Sequence, residues 1–298
     1  MIQLWLGGKG MYAAACKLFG DPHDGDSYTH AESGELSRRA ERWAQRIAAE
    51  PIGAWVDRLR AVGIACEPVL GPGEVLAERD LEELGLVVTN ADETGARVTR
   101  VGEVLSVTAC RTTGRKWPGD RGSPTTLPLT GIRVVDFSAF VAGPFAAQVL
   151  ADLGADVIRV ESPGGDPMQA SVWVAACQRG KRSVALDLRA PHTRPALEKL
   201  LASADVVVHN LRLGVPERLG IDESSVRRVN PHAVYCHITA AGHIGPRSRR
   251  PGADALMQAV TGLKVAMGGE GGRPASVRWV PVDISCGWLA AIGILAGL

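Results

Sequence analysis

Residues 131–161 read GIRVVDFSAFVAGPFAAQVLADLGADVIRVE, and three patterns succeed one another within them. GIRVVDFS (131–138) is an apolar run of strand length, PFAAQVLADLG (144–154) has a helical period, and ADVIRVE (155–161) is strand-like again. Apolar runs without polar alternation suit strands covered on both faces. The alternation continues with a strand at RSVALDL (182–188), a helix at RPALEKLLASA (194–204) and a strand at DVVVHN (205–210). A short helix near DESSVRRV (222–229) and a strand at AVYCHIT (233–239) follow. Strands and helices in this order predict an α/β fold, a mostly parallel Rossmann-like sheet flanked by helices.

Upstream the character differs. SGELSRRAERWAQRIAAEP (33–51) puts Leu36, Ala40, Trp43, Ala44 and Ile47 on one helical face, behind Ser33 as N-cap and ahead of Pro51 as a stop. AWVDRLRAVG (54–63) is a second amphipathic helix with Gly63 as its C-terminal glycine. IACEPV (64–69) and ARVTRVGEVLSVTAC (96–110) read as extended, and EVLAERDLEELG (74–85) as a short charged helix. RTTGRKWPGDRGSPTTLP (111–128) is rich in Gly, Pro, Thr and charge with no apolar period. The expected organisation is therefore a first section over 1–110, a linker over 111–127 and an α/β domain over 128–298.

Composition narrows the function classes. With 33 Lys+Arg against 32 Asp+Glu, the chain has no global basic field for nucleic acid and no acidic tail. The six cysteines stand singly, without metal-ligand or disulfide spacing, which points to the cytoplasm. No apolar stretch is long enough to span a membrane, and MIQLWLGGKGMYAAACK lacks the plan of a signal peptide. Histidines 23, 30, 192, 232 and 243 are flanked by turn residues and form no H-x-x-x-H pair.

The strand-end loops carry the candidate chemistry, because open α/β sheets bind ligands beyond the carboxyl ends of their strands. SAFVAGP (138–144) opens a helix whose free N–H groups suit an anion or a carbonyl oxygen. It is not G-x-G-x-x-G, so Glu161 is a poor ribose ligand for a dinucleotide. Basic residues gather nearby: Arg159, Lys181, Arg182, Arg189, Arg212, Arg218, Arg247, Arg249 and Arg250. Each alone is an ordinary surface charge; together they suit a phosphorylated ligand. Ser138, Ser183 and Ser285 lack a nucleophile elbow, and Cys286 has no evident base. Asp254 and Asp283 both precede helix-like runs, where capping is the ordinary role of an aspartate. Asp283 is the less comfortable of the two. It stands between an apolar β-type run (Val277 to Val282) and the apolar helix-like run Trp288 to Leu298, where an uncompensated charge is costly.

Six segments, taken in order, resemble the family III CoA-transferases of the CaiB and BaiF type, a superfamily that also holds α-methylacyl-CoA racemases. They are residues 127–167, RGKRSVALDLR (179–189), ADVVVHNLRLGVPERLGID (204–222), VNPHAVYCHITAAGHIGP (229–246), RPGADALMQAVTG (250–262) and VDISCGWLAAIGILA (282–296). The resemblance implies that Asp283 is the covalent nucleophile of a CoA transfer through an aspartyl-CoA thioester, with no resident metal or redox cofactor. It implies that Phe140, Val141 and Ala142 lie against the CoA thiol arm. Arg159, Ser162, Leu186, Arg189, Asn210, Leu211 and Arg218 match positions around the nucleotide, with Arg189 and Arg218 toward phosphates. Where the family reads N-F-R-P-G this chain has NLRLG, so no aromatic stands at Leu211. Racemases of the family resemble GHD where this chain has GAD (252–254); Ala253 moves no proton, which favours the transferase and leaves Asp254 a secondary acid.

The first section resembles the family's other end: residues 1–22 the opening of its small domain, residues 54–88 a segment near its C-terminus. The implied order is inverted, with a C-terminal half, a linker and an N-terminal half, as in part of a tandem fusion or a truncated frame lacking the glycine-rich closing loop. Family members form intertwined dimers, so the expected partner is a second copy or a complementing subunit. An inactive CoA-binding subunit is the alternative.

Overall fold

The computed structural model describes residues 1–22, 33–108, 127–165 and 171–298. Of the predicted linker only Leu127 is among them, and Cys110, His23 and His30 lie outside them. The described residues form two compact units, one of 1–102 with 250–281 and one of 103–249 with 282–298.

In the first unit, β1 (Ile2–Trp5) pairs antiparallel with β2 (Ala65–Pro68), Ile2 opposite Pro68. Helices α1 (Met11–Phe19), α2 (Ser33–Ala48) and α3 (Ile52–Ala61) enclose an aromatic core in which Phe19 stacks on Trp43 at 4.6 Å and on Trp55 at 5.2 Å. The α2 stripe is rotated from the expected one. Trp43 is buried and Leu36 and Ile47 half-buried as predicted, but Ala40 and Ala44 are exposed. Arg39 is buried instead, bonded to Tyr12 Oη. Ser33 is the first residue of α2, not its cap. The predicted Gly63 stop holds: Ile64 N–H reaches back to Leu59 O, the six-to-one bond of a Schellman end. The 74–85 helix is split into a 3₁₀ turn (Glu74–Ala77) and α4 (Arg79–Glu83). An unpredicted strand β3 (Val87–Ala91) makes a hairpin with β4 (Arg97–Val101), and no strand continues through 102–108.

Residues 250–281 join this unit by backbone and apolar contact. Leu70 N–H donates to Ala259 O at 3.0 Å, and Leu256 is buried with Met11 and Ala65.

The second unit is the predicted α/β layer. Its five strands are β5 (Arg133–Asp136), β6 (Asp156–Glu161), β7 (Lys181–Ala185), β8 (Val206–His209) and β9 (Val234–His237). All pair in parallel, in the order β7-β6-β5-β8-β9. Between them run α5 (Ala142–Asp152), α6 (Val172–Ala176), α7 (Arg194–Ser203), α8 (Val215–Leu219) and α9 (Glu223–Val229). Asp222 caps α9, its carboxylate accepting from Ser225 N–H. Side chains alternate across the sheet. Val134, Val157, Val206 and Val208 face α5 and share a core with Ile294, whereas Val135, Val160 and Val207 pack with Leu197, Leu201 and Val226 on the other side.

The elements after β9 are α10 (Asp254–Val260), α11 (Leu263–Gly268) and α12 (Pro281–Gly297). One expectation fails here. Val277 to Val282 is not a strand: Val277 is fastened by its backbone to the Gln258 amide, and helix α12 already starts at Pro281. Proline is well suited to a first helical position, since its missing N–H would have no partner there.

Candidate active site

The sheet reverses its winding between β5 and β8, and there the two strand-end loops are tied together. Asn210, just beyond β8, uses both ends of its amide on Ala139: Oδ1 accepts from Ala139 N–H at 2.9 Å and Nδ2 donates to Ala139 O at 2.7 Å. Its polar atoms thus hold the loop of Phe140, Val141 and Ala142 from below. Phe140 has φ +64°, a left-handed backbone rare for an aromatic residue. Gly143 lets the turn close, because a Cβ there would stand 2.3 Å from Ser138 Cβ. Val141 and Ala142 are buried and Phe140 half-buried. Helix α5 starts without a side-chain cap, which leaves the N–H groups of Ala142 and Gly143 without intrahelical acceptors.

Beneath this loop lies an ion pair that sequence reasoning missed. Asp136, the last residue of β5, is fully buried; Oδ1 accepts from Ser138 N–H at 2.9 Å and Oδ2 from Lys181 Nζ at 2.8 Å. Lys181 also donates to Pro144 O at 2.7 Å, in the first turn of α5. A charge inside an apolar run marked Asp283, and the same signal marks Asp136 in GIRVVDFS.

Asp283 is the third residue of α12, inside its first turn and therefore not its N-cap. One turn later Gly287 touches the start of α5; a Cβ on it would lie 2.8 Å from Ala142 O and 2.7 Å from Phe145 Cδ1. Trp288 meets Phe145 edge-on at 5.6 Å. Since α12 then runs on to Gly297, beside Val234 at the start of β9, it lies along the sheet in the same sense as α5. Asp283 therefore stands at the carboxyl edge, where the N-terminus of α5 also lies. The buried Cys177 thiol reports on the same corner. Burial pushes its pKa up, Asp283 and Asp136 add to that, and the Lys181 ammonium opposes it. Three charged groups thus act on one thiol.

The other predicted contacts are distributed along this edge. Ser162 follows β6, exposed, its hydroxyl donating to Gly165 O at 3.1 Å. Leu186 follows β7, its N–H bonded to Glu161 O at 2.8 Å, and the Arg189 side chain is exposed. Leu211 follows Asn210, its peptide held by two rings: His209 Nδ1 accepts its N–H at 3.3 Å and His237 Nε2 donates to its carbonyl at 2.7 Å. Arg218 is exposed on α8. Arg159 differs, lying within β6, 5% exposed and paired with Glu161 at 3.1 Å. With Glu161, Gln178, Lys181 and Ser183 it lines a cavity of about 360 Å³.

Asp254 belongs to the unit of 1–102 with 250–281. It is the first residue of α10 rather than its cap, buried, and its carboxylate accepts from Gln258 Nε2 one turn on. The buried Lys264 ammonium feels its charge. Among the described residues no cluster of His, Cys, Asp and Glu suits a metal, and no helix is long and apolar enough to cross a membrane.

The model of CoA-transferase family III matches residues 1–121 and 129–298. A probable fatty acyl-CoA transferase of Mycobacterium tuberculosis is 37% identical over 182 residues, 57% of this chain and 46% of that protein. Its crystal structure superposes with a TM-score of 0.54 over 57% of this chain and 50% of the other, at 38% identity. A succinate–glutarate CoA-transferase of Agrobacterium fabrum is 36% identical over 57% of this chain and 47% of its own length. The beta subunit of a succinyl-CoA–L-malate CoA-transferase of Chloroflexus aurantiacus is 34% identical over 59% and 46% respectively. The chain spans about half the length of these relatives.

Proposed function

The chain belongs to CoA-transferase family III, and on that premise we propose that it moves CoA from an acyl-CoA donor to a carboxylic acid, with Asp283 as the covalent carrier. An Asp283 oxygen attacks the thioester carbonyl and the C–S bond breaks, giving a mixed anhydride and CoA thiolate. The thiolate attacks the aspartyl carbonyl, releases the donor acid and leaves an aspartyl-CoA thioester. An acceptor carboxylate opens that thioester by the reverse sequence. Nothing is oxidised, no water is consumed, and the carboxylate of Asp283 is regenerated. The steps exchange acyl bonds of similar energy and need no resident metal or redox group.

The observation that carries this reading is the position of Asp283 one turn before Gly287, at the end of the sheet where α5 begins. The N–H groups of Ala142 and Gly143 are then suited to hold the oxyanion of each tetrahedral intermediate. The nucleotide is expected along Ser162, Leu186, Arg189 and Arg218, with Arg159 acting from beneath and Asn210 and Leu211 shaping the loop. Asp254 is a secondary acid. The racemase reading is weaker, because Ala253 offers no exchangeable proton beside Asp254.

The names of the Agrobacterium and Chloroflexus relatives make succinyl-CoA the first donor to try and a dicarboxylate the first acceptor. Because the matched region spans only about half of those relatives, we expect a second copy or a complementing subunit to take part; one relative is itself named a beta subunit. The free thiols Cys16, Cys66, Cys177, Cys236 and Cys286 favour the cytoplasm.

Incubation with succinyl-CoA and hydroxylamine, followed by peptide mass spectrometry, is expected to find a hydroxamate on Asp283. Asp283→Asn is expected to lower transfer by at least ~10³-fold while CoA still binds. An unmodified Asp283 peptide alongside measurable transfer overturns the assignment.

A further inference from the structure

Two arginine side chains converge above Gly214. This glycine lies in the loop that follows β8, and a Cβ built on it would stand 3.5 Å from Arg218 Nη1 and 3.9 Å from Arg249 Nη1. Arg218 comes from α8, a turn further on; Arg249 comes from the long loop after β9. Both belong to the unit of 103–249 with 282–298, and both are exposed.

Two other exposed arginines of this unit lie against carboxylates, Arg179 on Asp152 at 2.7 Å and Arg182 on Asp156 at 2.6 Å, whereas Arg189, Arg212 and Arg228 are exposed without such a pair among the described residues and stand apart from one another in sequence. Among the described residues neither Arg218 nor Arg249 makes such a pair. Two guanidinium groups brought to one point repel each other unless an anion lies between them. The point they share is free of side chain because the residue beneath is glycine. A carboxylate is flat and is satisfied by one guanidinium fork, whereas a tetrahedral phosphate presents oxygens in several directions and accepts from two forks at once.

We propose that Arg218 and Arg249 form a two-guanidinium clamp for a phosphate group, with Arg249 a ligand contributed from the far end of the β9 loop. The proposal rests on the CoA-transferase reading for its ligand: the phosphate is carried by CoA, as its ribose 3′-phosphate or its diphosphate.

The test is calorimetric titration of the whole chain with CoA, dephospho-CoA and inorganic pyrophosphate. Arg249→Ala is expected to weaken CoA binding roughly tenfold, and Arg249→Lys less, since an ammonium keeps the charge without the fork. Arg218→Ala is expected to do the same, and the double variant to lose less than the product of the two, because both remove one shared contact. If the Arg249→Ala effect vanishes with dephospho-CoA, the 3′-phosphate is the group held; if it persists, the diphosphate is. Both substitutions lie at exposed positions and are expected to leave the melting temperature unchanged.

Wild-type binding of CoA with no response to Arg249→Ala, or strict independence of the two substitutions, overturns the clamp. Pyrophosphate binding that depends on both arginines, without any CoA binding, keeps the clamp and removes the CoA reading. Absence of binding by all three probes removes both.

Discussion

Asn210 and Ala139 are joined by two hydrogen bonds, one in each direction, so that the loops ending β8 and β5 move as one piece. The arrangement makes Asn210 a supporting residue for the bend at Phe140 rather than a side chain free to face a ligand. Replacing it by alanine removes both bonds and strands the Ala139 N–H and carbonyl. Urea unfolding is expected to show a loss of about 1–3 kcal/mol. Asn210→Asp keeps the acceptor but sets a carboxylate against the Ala139 carbonyl, so it is expected to recover little. Wild-type stability in both variants would contradict this role.

Lys181 and Asp136 are both almost wholly inaccessible, 2% and 0% by side chain. Breaking such a pair leaves a charge buried alone, which costs more than the pair contributes. Lys181→Met is expected to destabilise the protein by about 3–5 kcal/mol. The double variant Lys181→Met, Asp136→Leu is expected to be more stable than Lys181→Met alone, because no buried charge remains. Equal stabilities of the single and double variants would show that the carboxylate is solvated after all.

His209 is fully buried, and its burial, together with His237 and His243, pulls its pKa down from 6.5 to about 3. The folded ring stays neutral while the unfolded one takes up a proton below pH 6.5. Stability is therefore complete above pH 6.5 and falls with pH down to about 3, by up to ~1.4 kcal/mol per pH unit from this group. His237, also depressed by burial, adds to the same slope. The lowered carboxylates, Asp156 and Asp222 among them, respond only below their ordinary value of 3.8. Denaturant titrations between pH 4.5 and 6.5 thus isolate the histidines. His209→Gln is expected to flatten that slope, and an unchanged slope would refute the assignment.

Gly287 admits no side chain, since a Cβ would meet the Ala142 carbonyl and the Phe145 ring closer than 3.0 Å. Gly287→Ala is expected to push α12 away from α5 at a cost of about 1–3 kcal/mol, and to slow hydroxylamine-trapped acylation of Asp283. The exposed Trp288→Ala, beside it, is a control expected to leave acylation nearly intact.

The sheet was readable because each of its strands is a short apolar run between turn residues, and burial on both faces leaves that mark on the sequence. The same rule misled at Val277 to Val282, where the apolar run is irregular chain followed by a helix start; Pro281 was the better signal. β1 and β3 are four- and five-residue strands with no long apolar run to announce them. In the candidate site, single-residue anomalies were legible, as Asp283 was. Pairings were not: Lys181 meets Asp136 across 45 positions of sequence, and no spacing rule spans that distance. The rotated stripe of α2 has a similar cause, since Arg39 is buried by a partner on another helix, Tyr12.

The unit that opens the chain is finished only by residues 250–281. During synthesis β1, β2 and their three helices emerge before α10, so the Leu70 N–H and the apolar surface of Met11 and Ala65 wait for it. The five strands of the parallel sheet are synthesised between these two parts. A nascent chain stalled short of Asp254 would display that unfinished surface to chaperones and proteases.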